Sequence, residues 1–229
     1  RNQSAAEQTA ASIRSLERKV VTVKAHLGTI EGIEHLFSEV ERHFDGLDIL
    51  INNAASGYNR PAMEQKPKGW DWTMNINARA VLFAAQKAVP LMEKRGGGTI
   101  VNISSPGSFR VLPDYVVVGA SKAALEALTR YLAVELAPKN IVVNAVAPGL
   151  VETEALKYFD AVREDEKLLE KAAALTPAGR LVTPQDIAEV VAFLCSPSAS
   201  MIRGQTILVD GGYTLPIQTP FASISKDRD

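Results

Sequence analysis

Short apolar runs constrain the fold of this chain most. LDILI at 47–51, TIVNI at 99–103 and IVVNAV at 141–146 show no regular apolar–polar alternation, which is typical of strands buried on both faces. Long helical stretches separate these runs, one at 70–94 and one ending near 136. Strands that alternate with helices predict an α/β fold: a Rossmann-like, doubly wound parallel sheet in a single domain.

The remaining elements follow the same alternation. Apolar spacing and composition predict helices at 3–18, 29–44, 153–175 and 184–195, and strands at 20–24 and 205–209. We therefore expect one domain over 1–215 and a C-terminal tail at 216–229.

Composition excludes several classes of protein. The chain has 229 residues and a formal net charge of −1, which indicates neither disorder nor a nucleic-acid partner. No apolar run approaches the length of a membrane span. A single cysteine, Cys195, excludes an internal disulfide, fits a reducing cytoplasm and, with three histidines on polar helical stretches, predicts no metal site.

Polar or small residues follow three of the predicted strands. Asn52 and Asn53 come after the first, Ser104 and Ser105 after the second, and the Pro148–Gly149 pair after the third. Ligands of doubly wound sheets bind at the carboxyl ends of the strands. The three strand ends therefore predict one shared site.

Tyr115 and Lys122 are the strongest candidates for chemistry at that site. They are seven residues apart, which is two helical turns and places both side chains on nearly the same face of a helix. A nearby ammonium favours the phenolate and makes the phenol a better proton donor to a carbonyl or enolate oxygen. On spacing alone, a surface phenol beside a solvated amine is the alternative.

Five motifs in order resemble the short-chain dehydrogenase/reductase family over nearly the whole chain. Asn52-Asn53-Ala54 resembles the NNAG turn, with Ala55 in place of the usual glycine. The segment NARAVLFAAQKAVPLM resembles the long helix that begins with the family's active-site asparagine, here Asn77. The other three motifs are ISS at 103–105, Pro148-Gly149 with Thr153, and RGQTILVDGG at 203–212.

The resemblance implies a role for each matched residue. Catalytic roles fall on Tyr115, Lys122, Ser105 and Asn77. Cofactor contacts fall on Arg1, Leu27, Asn53, Ala54, Lys122, Pro148, Gly149, Val151 and Thr153. Leu156, Tyr158 and Phe159 stand where the family has a mobile substrate lid, although a packed amphipathic helix explains them equally well.

One departure from the family pattern points to a subgroup. The common pattern has tyrosine four residues before lysine, and Val118 stands there. The Tyr-x6-Lys spacing resembles bacterial enoyl-acyl-carrier-protein reductases, most closely the NADPH-dependent type III class. In enoyl reduction, hydride adds at C3 while charge develops on the thioester oxygen at C1. The proton donor must then reach further from the hydride than in ketone reduction.

The resemblance thus implies NADPH-dependent reduction of trans-2-enoyl thioesters in fatty-acid elongation. The implied partner is acyl carrier protein, and the implied assembly is a homotetramer through the helices at 70–95 and 116–137. Two alternatives stay open. One is a carbonyl, 3-oxoacyl or hydroxysteroid-type reductase of the same family, and the other is a non-catalytic fragment or assembly partner.

The family's opening strand, glycine-rich turn, helix and second strand have no counterpart in this sequence. Gly28, Gly32, Gly46 and Gly57 do not form a dinucleotide fingerprint. We expect the first β-α-β unit to be absent from the fold. We also expect this chain to bind NADPH poorly, and a chain that carries the unit to bind it well.

Overall fold

A four-stranded parallel sheet forms the centre of the computed structural model, which describes residues 2–151 and 167–216. The strands are β1 (Ile49–Asn52), β2 (Gly98–Ile103), β3 (Ile141–Pro148) and β4 (Thr206–Val209), and they lie in the order β1-β2-β3-β4. Every neighbouring pair is parallel. The parallel α/β architecture predicted from the apolar runs is confirmed.

Seven α-helices connect and flank the strands in the described residues. They are α1 (Gln3–Arg14), α2 (Ile30–His43), α3 (Pro67–Met74), α4 (Ala80–Glu93), α5 (Val116–Glu135), α6 (Leu168–Leu175) and α7 (Pro184–Leu194). A π-helical turn, Asn75–Arg79, joins α3 to α4 without a break.

The helices cover both faces of the sheet, and neighbouring residues of β2 show the division. Ile100 packs into a core that α2, α4 and part of α5 complete, whereas Val101 packs into a second core with Leu194 of α7. Adjacent residues of a strand point to opposite faces. An apolar run without alternation is therefore what this doubly covered sheet requires.

Local sequence signals account for the helix ends. The Thr29 hydroxyl accepts a hydrogen bond from the Gly32 amide at the start of α2, as an N-terminal capping residue does. Thr183 and Asp186 form a reciprocal capping box at the start of α7. After α4, Gly96 and Gly97 take positive φ values of 82° and 136°, a conformation that favours glycine.

The strand predicted at 20–24 is wrong, because these residues form no β-ladder. Strand geometry needs a neighbouring strand to complete the backbone hydrogen bonds, and the described residues place none beside this segment. In the described sheet β1 is an edge strand, and its side chains Ile49 and Ile51 are 43% and 38% exposed.

Three helix boundaries also differ from the predictions. The first helix ends at Arg14 rather than 18, because Glu17 adopts a positive φ of 56°. The helix predicted at 70–94 begins three residues earlier, at Pro67, since proline is well tolerated in the first turn. Of the stretch predicted at 153–175, Leu168–Leu175 is helical, and residues 152–166 lie outside the described part.

Among the described residues, none of the helices combines the length and apolarity needed to cross a membrane.

Candidate active site

The carboxyl ends of β1, β2 and β3 lie side by side, and polar side chains tie β1 to β2 and β2 to α5. Asn52 Nδ2 donates to Asn102 Oδ1 at 2.8 Å, across β1 and β2. Asn102 Nδ2 donates in turn to Thr129 Oγ1 on α5 at 2.9 Å. These bonds fix α5 against the strand ends, where the sequence predicts the shared site.

Tyr115 lies directly before α5, at the junction of loop and helix. Asp114, which precedes it, has a positive φ of 59° and so turns the chain sharply into the helix. The phenol ring lies against Gly107, where a Cβ atom would come within 2.6 Å of the ring. Burial raises the pKa of Tyr115, and a hydrogen bond with the Ser105 side chain acts in the opposite direction.

Lys122 is buried on the same side of α5. Its side chain reaches the end of β2, where Nζ donates to the Ile103 carbonyl at 2.6 Å. Burial lowers the pKa of Lys122 from 10.5 to about 8, while the charge of Glu126 acts to raise it. An ammonium of this kind can change its charge close to neutral pH and is therefore sensitive to what binds beside it.

Asn77 lies within the π-helical turn, a feature often found at functional sites. Its Oδ1 accepts from the Ser56 amide at 2.8 Å, and its Nδ2 lies 2.9 Å from both the Ser56 carbonyl and Ser121 Oγ. Asn77 therefore joins the loop after β1 to Ser121 of α5, which directly precedes Lys122.

Val118 occupies the position that carries tyrosine in the common family pattern. Its side chain is 7% exposed and contacts the loop after β1. A Cβ atom at Gly57 would lie 2.3 Å from Val118 Cγ2. The valine thus fills this position with an apolar contact and offers no proton there.

The residues expected to contact a cofactor are divided between two places. Leu27, Asn53 and Ala54 line a cavity of about 80 Å³ beside β1. Gly149 lies at the end of β3, where its amide donates to the Val209 carbonyl and its Cα lies against Asp210. Pro148 precedes it, and Val151 forms an isolated parallel bridge with Val182.

This arrangement fits the nicotinamide and ribose half of a dinucleotide. The Lys122 ammonium is held at the end of β2 by the Ile103 carbonyl, and Asn53 and Ala54 are exposed just after β1. The described residues contain no glycine-rich turn at a helix N-terminus for the pyrophosphate. Arg1, Thr153, Leu156, Tyr158 and Phe159 lie outside the described residues.

A cleft of about 520 Å³ opens beside Tyr115. The loop after β2 forms one wall and the first two turns of α5 form the other, with Leu112 and Val116 among the apolar lining residues. This volume is in the range of small-molecule sites. The phenol therefore lies next to a space that can admit a substrate.

Sequence reasoning missed two polar residues of this site. Ser121 holds Asn77, and Glu126 accepts hydrogen bonds from Ser104 and Ser108 at 2.6 Å each. For Glu126 the available signal is its spacing from Lys122, since it lies one helical turn further along the same face.

Comparisons with known proteins identify relatives of this chain. The family model described as Enoyl-(Acyl carrier protein) reductase matches residues 1–214. Human dehydrogenase/reductase SDR family member 4 is 37% identical over 213 residues, which cover 93% of this chain and 76% of that protein. 1-cyclohexenylcarbonyl-CoA reductase of Streptomyces collinus is 37% identical over 221 residues, 96% of this chain and 78% of that protein.

A solved structure extends the similarity to the fold. L-sorbose reductase from Gluconobacter frateurii, complexed with NADPH and L-sorbose, matches with a TM-score of 0.86 and 29% identity. The match covers 93% of this chain and 83% of that one.

Proposed function

We propose a function from the premise that the chain belongs to the short-chain dehydrogenase/reductase family. At the level of the family it is an NAD(P)-dependent oxidoreductase. Within that class, the proposed reaction is the NADPH-dependent reduction of trans-2-enoyl thioesters to saturated acyl thioesters. The proposed setting is fatty-acid elongation, with acyl carrier protein as the substrate carrier.

The register of the tyrosine carries this proposal. Tyr115 meets Ser105 at the start of α5, whereas Val118 is buried against the loop after β1. A phenol seven residues before Lys122 suits an oxygen two carbons away from the carbon that receives hydride. The family model's description and the Streptomyces collinus relative, whose name describes reduction of an unsaturated acyl thioester, support the same chemistry.

Each residue of the site has a distinct task in this reaction. The Tyr115 phenol donates a hydrogen bond to the thioester oxygen and stabilises the charge that develops there as C3 is reduced. Ser105 orients the phenol through their hydrogen bond. The Lys122 ammonium favours negative charge on the phenol and the substrate oxygen, and Asn77 holds the loop after β1 in place.

NADPH would supply the hydride. The described residues proposed to contact it are Leu27, Asn53, Ala54, Lys122, Pro148, Gly149 and Val151. The structural relative that contains NADPH supports this choice of cofactor. A cytoplasmic location and a homotetramer, with the helices at 70–95 and 116–137 at the interface, stay predictions.

Ketone reduction is the competing proposal within the family. The relative named L-sorbose reductase supports it. The valine at position 118, where the common family pattern has the proton-donating tyrosine, opposes it. A role without catalysis is the third possibility. The buried Lys122 argues against it, because burial of an ammonium lowers the stability of the fold, and groups with a pKa shifted in this way cluster at functional sites.

The test compares NADPH oxidation with crotonyl and acetoacetyl thioesters, each carried by acyl carrier protein or by coenzyme A, in a chain that carries the first β-α-β unit. We expect turnover of the crotonyl thioester, and a loss of roughly 100-fold or more in Tyr115→Phe, because the phenol is the proton donor. Tyr131→Phe is the matched control, since Tyr131 lies on α5 and is 70% exposed. Activity on acetoacetyl thioester alone would refute enoyl reduction.

A further inference from the structure

Glu126 is a partly buried carboxylate for which the proposed reaction has no direct use. It lies on α5, four residues after Lys122, and its Oε1 is 2.6 Å from Ser104 Oγ and 2.6 Å from Ser108 Oγ. Hydroxyl-to-carboxylate hydrogen bonds of this length are among the stronger ones in proteins. Both serines belong to the segment that follows β2.

These two hydrogen bonds enclose Ser105, the residue that meets Tyr115. Ser104 precedes it, and Ser108 closes the short 3₁₀ turn Pro106–Ser108 behind it. Ser108 Oγ is also 2.7 Å from the Ser105 carbonyl. Its single proton serves one of these two acceptors at a time. When the Ser108 proton is donated to Glu126, the carboxylate holds both ends of the turn that presents Ser105.

Glu126 also completes a row of contacts between α5 and the end of β2. Tyr115, Lys122 and Glu126 are spaced by seven and four residues, which places them along one side of the helix. They contact Ser105, the Ile103 carbonyl and Ser104 respectively. One helix side thus binds three consecutive residues at the carboxyl end of β2.

The charge of Glu126 acts on Lys122 as well. From β2 the Ile103 carbonyl accepts from Lys122, and from the π-helical turn the neutral amide of Asn77 contacts Ser121, the residue before Lys122. On α5 itself the neighbouring titratable side chains are Tyr115 and Glu126. Among the described residues, Glu126 is the charged group that opposes the effect of burial on the Lys122 pKa.

We propose that Glu126 is a positioning residue of this site, with two effects. Its carboxylate fixes the turn that carries Ser105, and its negative charge favours the ammonium form of Lys122. This inference rests on the proposed roles of Tyr115, Lys122 and Ser105 in reduction. Glu126 itself touches neither the substrate oxygen nor the reacting carbons.

The charge effect is tested without any substrate. Protein labelled with carbon-13 at the lysine ε-carbons is titrated by NMR, and the Lys122 resonance is assigned by its loss in Lys122→Met. We expect the midpoint of Lys122 to fall by about one pH unit in Glu126→Gln, which removes the charge but keeps the size of the side chain. Glu126→Asp keeps the charge but draws it back by one methylene, so its midpoint should fall between those of wild type and Glu126→Gln.

The matched control is Glu135→Gln, because Glu135 is an exposed carboxylate on the same helix. It should leave the Lys122 midpoint unchanged. Equal midpoints in wild type and Glu126→Gln, or equal shifts in the two glutamine variants, would overturn the charge effect. If Glu126→Gln does not fold, wild type and Glu126→Asp give the same comparison, since a carboxylate drawn back by one methylene must lower the midpoint measurably if its position matters.

The effect of Glu126 on the turn that carries Ser105 is tested by reaction rates, in a chain that carries the first β-α-β unit. In Glu126→Gln we expect kcat to fall about tenfold with little change in the KM for NADPH, and the alkaline limb of the pH–rate profile to move to lower pH. Ser108→Ala leaves the charge in place, so it should lower kcat without moving that limb. A pH–rate profile in Glu126→Gln that superimposes on wild type would refute the inference. An inactive wild type that carries the first β-α-β unit would instead count against the proposed function, because the NMR titration does not depend on turnover.

Discussion

Lys122 gives the sharpest quantitative test of the site, because its burial predicts how the stability of the fold depends on pH. The side chain is 5% exposed, and its pKa falls from 10.5 to about 8 on folding. The perturbation is Lys122→Met, which keeps an unbranched chain of similar length but removes the ammonium.

The sign follows from counting protons. Between about pH 8 and pH 10.5, unfolded chains hold the Lys122 proton while folded ones have lost it. Stability rises with pH wherever the unfolded state binds more protons, so burial of Lys122 costs stability below this window and the cost disappears across it. At about 1.4 kcal/mol per pH unit the cost near neutral pH is roughly 3 kcal/mol.

The magnitude between two practical conditions is smaller. From about pH 7 to about pH 9.5, wild type should gain about 2 kcal/mol of unfolding free energy relative to Lys122→Met. The methionine variant also leaves the Ile103 carbonyl without its donor, which costs about 1–3 kcal/mol. That cost does not depend on pH and cancels when the two pH values are compared.

The assay is urea unfolding of wild type and Lys122→Met at both pH values, followed by circular dichroism. Lys94→Met is the control, since Lys94 is exposed at the end of α4, and its stability difference from wild type should be nearly the same at both pH values. A difference between wild type and Lys122→Met that stays constant, or that changes in favour of the variant as pH rises, would refute the burial of an ionisable Lys122.

Two further predictions concern packing and capping. Gly57→Ala should lower the free energy of unfolding by about 1–3 kcal/mol, because the new Cβ would lie 2.3 Å from Val118 Cγ2. Val118→Ala in the same chain should restore part of this loss. If urea unfolding shows that the effects of the two substitutions simply add, the contact is contradicted. Thr29→Ala should lower stability by about 1 kcal/mol through loss of the α2 cap, while Thr29→Ser should not; equal thermal midpoints for the two variants would count against the cap.

The sequence predicts the centre of this fold well and its edges less well. The strands β2 and β3 are found where the apolar runs predict them, because both faces and both edges of these strands are covered. Residues 20–24 have the same β-branched composition and yet form no strand. The difference is a neighbouring strand. A segment forms a β-strand only when another strand lies beside it, and no local sequence pattern specifies that strand.

The site shows the same limit. The spacing of Tyr115 and Lys122 predicts that both act from one side of a helix, and the structure places both against the end of β2. The support of Asn77 by Ser56 and of the Ser105 turn by Glu126 spans long separations in sequence. Such contacts depend on how helices are docked against strands, which composition and periodicity do not determine. The catalytic roles themselves stay predictions.

The wide turn at Asn75–Arg79 has a consequence for how the length of this chain can vary. A π-helical turn holds one more residue than an α-helical turn. Loss of one residue here would leave a regular helix and would rotate the part before the turn by about 100° relative to α4. Asn77 could not then face Ser56 while α4 kept its packing on the sheet. Insertions and deletions should therefore be excluded from this stretch, even where many substitutions are accepted.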